Sequence, residues 1–564
     1  MRPLKVAAIA TLGYLLLVPL TVTVLTSLRG PVRKLPFEPG SYFTFDNFIR
    51  LYQSGALTQT LTDTSLYVLG SVCVAFVISF AISWVLERTD FPARNWVFAG
   101  VLTPLMLPNI VLSQAWVLLI SPGAGFLNLV LRAFLPFFER GPLNGFSMAG
   151  MILVQGILFV PFFTFLISSV LRNMDGTLED ASRASGAGLW QTLLRVTLPV
   201  LAPGLLSVSV LGAIIIMGVF EVPLLFGVGS GVNVISLRLW QLLNPPSDLP
   251  RYGELAGFGV VLLIVVYVLF FLYGRLIRDT ARFSTVTGKG FRPSRFRLGW
   301  WKYPIAAALM LYFLVTVLFP LFILFWSSLF EFYVPPSLDA LKRASFSAYP
   351  AVLTDARFYG ALMRTLFVSA AAATIAVTVG VVIATVTVRG KSTPWVRGLD
   401  LFATSSTAIP AAVAGYAFLL FYLTIAKVIP IFGTVWVLVL SYSYRVSVAY
   451  RISQAGLIQI SKELEEAGSA SGASPLRVLR GIVIPLLTPQ IFSAWALLFL
   501  IGTHEFTIAM FLSTNANMTL AVFLFQKIGV HADHAGAISV LFAAGIMALV
   551  LLLRFVVWKR IRPL

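Results

Sequence analysis

Two acidic residues stand inside otherwise apolar stretches: Glu221 in Gly218-Val219-Phe220-Glu221-Val222-Pro223, and Glu505 in Gly502-Thr503-His504-Glu505-Phe506. A carboxylate in such surroundings is costly and is a functional candidate by default, here as part of a polar pathway attractive to a cation. The plainer alternative is a structural carboxyl held by a neighbouring helix. His504 adjoins the second acid and joins the same candidate pathway. Arg445, among Tyr442, Tyr444 and Tyr450, either snorkels to a membrane interface or contributes to that pathway. His531, Asp533 and His534 offer two imidazoles and a carboxylate, but one H-x-x-H spacing with one acid is a weak metal signal. A solvated loop is the favoured reading, and no metal site is assigned. Gly390-Lys391-Ser392 invites a phosphate-loop reading, yet position 385 is Thr385 where that motif needs glycine. No catalytic constellation remains.

The elements that position these residues follow from composition. Of 564 residues, 58% are hydrophobic and only 11% are charged, against roughly 25% charged in soluble domains. Cys73 is the only cysteine, which excludes a disulfide framework and a cysteine-rich metal site. Lys and Arg total 41 against 22 Asp and Glu. The basic residues sit in short segments between apolar runs, the arrangement that orients membrane helices rather than one that grips nucleic acid. Twelve apolar runs are long enough to span a bilayer, near 6–28, 61–86, 96–120, 148–171, 200–226, 256–277, 303–328, 362–388, 398–425, 431–453, 487–512 and 535–558. The first follows Arg2 and Lys5 but is too long for a signal core and reads as a retained span. Alternating the loops puts the basic excess on the side of the N-terminus, including Arg275, Arg278, Arg282, Lys289, Arg292, Arg295, Arg297 and Lys302 in mid-chain and Lys559-Arg560-Ile561-Arg562 at the end. Both termini are therefore expected on the cytoplasmic face. Residues 121–147 read as an outer loop with a short interfacial helix.

The chain also repeats itself. Leu178-Glu179-Asp180-Ala181-Ser182-Arg183-Ala184-Ser185-Gly186-Ala187 matches Leu464-Glu465-Glu466-Ala467-Gly468-Ser469-Ala470-Ser471-Gly472-Ala473. Gly186 to Gly472, Pro199 to Pro485 and Pro203 to Pro489 are each 286 residues apart. A repeat of this length dictates the architecture. An all-α integral membrane protein is expected, with twelve transmembrane helices in two homologous six-helix halves, 1–285 and 301–564, joined by a basic linker at 286–300. The matched loops lie near 176–199 and 462–485. Their carboxylates fall in a first helical turn, where they complement the helix dipole. Ala181, Ala184, Ser185 and Gly188, like Ala467, Ala470, Ser471 and Ser474, put small residues on one face, permitting close approach of another surface. The glycines can turn the chain between two short helices.

These loops resemble the EAA loop of binding-protein-dependent ABC importer permeases, whose pattern is E-A-A, three residues, G, nine residues, I-x-L-P. One half reads Asp180-Ala181-Ser182, Gly186, Val196-Thr197-Leu198-Pro199; the other reads Glu466-Ala467-Gly468, Gly472, Ile482-Val483-Ile484-Pro485. The third position departs in both halves, and the first is Asp in one. Leu86-Glu87-Arg88-Thr89-Asp90-Phe91-Pro92-Ala93-Arg94 is similar to the first cytoplasmic loop of the fused ferric-iron permease group, which includes relatives handling thiamine and phosphorylated small molecules. The resemblance implies the type I importer permease fold, duplicated in one chain, in a bacterial inner membrane. It implies that Glu179, Asp180, Ala181, Gly186 and Pro199, and Glu465, Glu466, Ala467, Gly472 and Pro485, couple the chain to two copies of a cytosolic ATPase. ATP and Mg would be used by those subunits, with no cofactor on this chain. A periplasmic or lipid-anchored binding protein would deliver cargo, ferric iron first by resemblance, then thiamine or a small phosphorylated compound. A proton-driven twelve-span transporter of the major facilitator type would carry G-x-x-x-D-R-x-G-R-R between its second and third spans, and this chain does not.

Overall fold

The computed structural model describes residues 2–246, 248–283 and 295–561, and these are mainly helical, with one short two-stranded pairing at Arg29–Gly30 and Tyr42–Phe43. Residues 286–294 of the expected linker, with Lys289 and Arg292, lie outside the described residues, as does Arg562. Among the described residues, nine helices are long and apolar enough to cross a bilayer, and eleven if two bent pairs each make one span. The bends have a chemical cause. Arg94–Met106 meets Asn109–Ile120 at 97°, and Pro394–Ala408 meets Ala411–Ile425 at 103°. Pro108 and Pro410 stand at the two breaks, and each forces the residue before it, Leu107 or Ile409, into extended backbone.

Three expected spans differ. The run at 431–453 is two short helices, Val435–Tyr442 and Val446–Gln459, broken at the polar Ser443-Tyr444-Arg445. The runs at 200–226 and 487–512 stop early, at Gly218 and His504. Glu505 therefore lies in the break beyond the fifth helix of its half and Glu221 opens the helical turn just after such a break, neither inside the fifth helix. Pro223 and the extended backbone at Val219 and Glu505 account for the stops. The short helix expected within 121–147 is Phe126–Phe134.

The two halves repeat in backbone as well as in sequence. Ala56–Arg88 corresponds to Ala356–Arg389, and Leu198–Gly218 to Ile484–His504 at the 286-residue offset. Even a local irregularity recurs, since π-helical turns at Leu193–Thr197 and Leu479–Val483 lead into those helices. Pro199 and Pro485 explain them: without an N–H, neither can close the ordinary bond to the carbonyl four residues back, and the turn widens.

Each half reaches into the other. Arg2–Ser27 packs on Ala411–Ile425, while Phe319–Ser327 packs on Asn109–Ile120. Between the halves Ser539, on the last helix Ala532–Ile561, donates to Gln114 Oε1 at 2.8 Å, and the hydroxyls of Tyr14 and Tyr422 meet at 3.1 Å. Tyr416 lies against Gly259 so closely that a Cβ there would overlap its hydroxyl. Overpacking of this kind costs about 1–3 kcal/mol. Gly259→Ala should lower the unfolding temperature of the purified protein, and adding Tyr416→Leu should recover much of the loss. An unchanged unfolding temperature in Gly259→Ala would show that the halves are not in contact there.

Candidate functional site

The matched loops form short helices, Thr177–Ala184 and Lys462–Ala470, each followed by a left-handed glycine, Gly186 at φ 85° and Gly472 at φ 79°. The glycines are required by backbone conformation alone, because a Cβ at either would meet nothing within 4 Å. The first loop is opened by Asp175, whose Oδ1 accepts the Thr177 N–H at 3.0 Å. That bond, chiefly, holds the carboxyl below the usual carboxylate range. Asp180, Ala181, Ala184, Ser185 and Gly188 are exposed, as are Glu466, Ala467, Ala470, Ser471 and Ser474. Leu178 and Leu464 add exposed apolar side chains at matching positions, as do Trp190 and Leu476. Pro199 and Pro485 are exposed at the start of the following helices.

Glu179 is not part of that face. It is fully buried, with Oε2 at 3.3 Å from Arg88 Nε and Oε1 accepting from the Thr197 hydroxyl at 2.7 Å. Arg88 Nη2 donates in turn to the carbonyls of Leu171 (2.9 Å) and Met174 (3.3 Å), the open end of the Met148–Arg172 helix. The second half builds the same clamp: Arg389 Nε donates to Glu465 Oε1 at 2.7 Å, and its Nη2 to the Ile460 carbonyl at 2.9 Å. The clamps differ in burial, fully enclosed for Arg88–Glu179 and partly exposed for Arg389–Glu465. The first is further braced by the last part of the linker. Phe296 bonds through its backbone to Arg88 and Asp90, and Arg183 sits over its ring at 4.7 Å.

The interior candidates converge on the breaks beyond the fifth helices. Phe220 and Phe506, 286 residues apart, are fully buried and stack on each other, ring centroids 6.2 Å apart. The pseudo-twofold axis therefore runs between these rings, and Glu221 and Glu505 flank it. Glu505 pairs with Arg445, while its other oxygen accepts the Ile508 N–H at 2.9 Å and caps the next helix. Arg445 thus turns inward rather than snorkelling, and the helix break around it allows this. Among the described residues Glu221 accepts only from backbone, the Phe220 N–H at 3.1 Å included, within electrostatic reach of Glu505 and Arg445. His504 is half-buried at the end of the fifth helix, and its buried Nε2 has no partner among the described residues. A cavity beside Arg445 holds only about 10 Å³, about enough for one water. Far from this cluster in sequence, the ligand atoms of His531, Asp533 and His534 lie within 4.8 Å of one another and are half-buried rather than solvated.

A family model described as the binding-protein-dependent transport system inner membrane component matches twice, over residues 75–282 and 376–563. The chain belongs to this family. Among its relatives, the ferric transport system permease protein FbpB of Actinobacillus pleuropneumoniae is 24% identical over 503 residues, 87% of this chain and 70% of the relative. The probable ABC transporter permease protein y4fN of Sinorhizobium fredii is 24% identical over 558 residues, 97% of this chain and 93% of the relative. The molybdenum transport system permease protein ModB of Haemophilus influenzae, at 26% identity, matches 34% of this chain but 82% of its own length.

In this permease, sequence gave no role to two residues that anchor the matched loops. Arg88 and Arg389 each end the second long helix of their half, the one basic feature those two ends share, and 301 residues rather than 286 separate them. That shift hides the pairing from a single-offset comparison. Removing one partner of a fully buried ion pair costs about 3–5 kcal/mol. Arg88→Met should therefore destabilise the permease by about that much in thermal unfolding, and Arg389→Met by less. Equal losses would contradict the difference in burial.

Proposed function

We propose that this chain supplies both permease halves of an ATP-driven importer and forms the translocation pathway between them. The observation that carries the reading is the pair of exposed, small-residue helices in 286-residue register, each tied to its own half by an arginine–glutamate clamp. Each helix docks in a groove on one of two copies of a cytosolic ABC ATPase through Asp180, Ala181 and Gly186, or Glu466, Ala467 and Gly472. Glu179 and Glu465 hold the helices from beneath. ATP and Mg act in those subunits, whose closure swings the halves between inward-open and outward-open states. The clamps carry that movement into the second and fourth helices of each half. Both termini face the cytoplasm, and a periplasmic or lipid-anchored binding protein releases cargo at the opposite face.

Ferric iron is the proposed cargo. The unpaired carboxylate of Glu221, beside the Glu505–Arg445 pair, favours a cation on the axis, and the FbpB relatives are named for ferric transport. Thiamine or a small phosphorylated compound is the alternative. The enclosed Phe220–Phe506 stack closes the pathway at this level in the present conformation.

Replacing both Gly186 and Gly472 by leucine puts side chains in left-handed backbone at about 1–2 kcal/mol each. With the membrane helices untouched, the double variant should insert normally yet lose ATP-driven uptake; unimpaired uptake would remove the coupling assignment. Glu221→Gln should lower iron uptake severalfold without changing unfolding temperature or ATPase retention. Loss of the bound ATPase in that variant would instead make Glu221 structural.

A further inference from the structure

A cavity of about 380 Å³ opens where the ends of Ala56–Arg88 and Met148–Arg172 meet the start of Arg94–Leu102. Its polar lining is Glu87, Arg88, Arg94, Asn95, Arg172 and Arg295, four arginines against one acid. That acid is already engaged, since Arg172 Nε donates to Glu87 Oε1 at 2.7 Å while its guanidinium rests over the Phe98 ring at 5.1 Å. Arg88 is matched by Glu179, yet its buried Nη1 has no hydrogen-bond partner among the described residues. Arg94 and Arg295 have no acidic partner among the described residues either. The cavity thus holds two uncompensated positive charges and one buried donor without an acceptor. An unpaired buried donor is costly, and a charged oxygen ligand would satisfy it.

The level of the cavity narrows the ligand. Trp96, Trp300, Trp301 and Tyr303 are all strongly exposed nearby in sequence to its lining residues. Tryptophan and tyrosine gather at headgroup depth in a bilayer, and basic pockets between helix ends at that depth recognise anionic headgroups. The second half's cavity below the coupling helix, about 400 Å³, is lined by Lys5 and Arg389 but also by Glu465 and Glu466.

We propose that this first-half cavity binds a phosphate-bearing anion, with Arg94 and Arg295 as the principal ligands and Arg88 Nη1 as the buried donor. The chemistry is shared by an anionic phospholipid headgroup and by free phosphate, and the depth of the site favours the headgroup. Because Arg88 also holds Glu179, an occupied cavity braces the anchor of the first coupling helix and leaves the second untouched. Binding itself does not depend on the importer reading.

The test is binding by the full chain in detergent, followed by thermal unfolding during titration with phosphatidylglycerol, phosphatidylcholine or inorganic phosphate. Phosphatidylglycerol should raise the unfolding temperature where phosphatidylcholine does not. Arg94→Gln with Arg295→Gln should weaken that binding by roughly tenfold or more, two charged hydrogen-bonding partners being lost. Neither residue has an acidic partner to strand, so the variant should fold, and Arg343→Gln, in a different loop, should bind normally. An equal shift from inorganic phosphate, lost in the same double variant, would support the site and make free phosphate its source. No shift from either anion, or a shift unchanged in the double variant, would overturn the proposal.

Discussion

The pairing of Arg88 with Glu179, and of Arg389 with Glu465, joins parts of each half that lie 91 and 76 residues apart in sequence. In each half a single guanidinium binds the carboxylate at the base of a short exposed helix and the carbonyls left open by the helix before it. A charge buried at this depth must keep its partner or pay the desolvation cost unrelieved, so the short helix cannot drift from the long ones. The fixed anchor in turn leaves the opposite face free to present alanine, serine and glycine. An exposed helix of eight or nine residues would otherwise be marginal in water.

A second constraint acts at the centre. The helix stops at Gly218 and His504 bring two phenylalanines related by the repeat onto the pseudo-twofold axis and set the acids beside them. The charges are not symmetric: Arg445 has no basic counterpart on the matching helix Met148–Arg172, whose interior carries Pro161 instead. One carboxylate is therefore neutralised and the other is left to backbone donors. The clamps show a parallel asymmetry in burial, with Phe296 bracing only the first. Two halves alike in much of their backbone thus differ in the fourth span, in charge at the axis and in how firmly each short helix is held.

Much of this was legible in the sequence, because repetition and hydropathy are local signals. The duplicated loops and the glycines that turn the chain within them could be read from residue types and spacing. The span at 431–453 could not, since its hydropathy is continuous while Arg445 and its neighbouring serines break the helix. Glu179 misled for a related reason. A carboxylate in a first turn satisfies the helix dipole whether it faces solvent or an arginine 91 positions earlier, and only the packing distinguishes the two. The inward turn of Arg445 toward Glu505 is likewise a long-range choice that neighbouring tyrosines do not disclose.

The central claim is that one chain presents two docking helices. Native mass spectrometry of the tagged protein, purified gently from its own host, counts what they hold. The account predicts one copy of this chain with two copies of a single ATPase. A complex with one ATPase, or with none under conditions that preserve uptake, would contradict it.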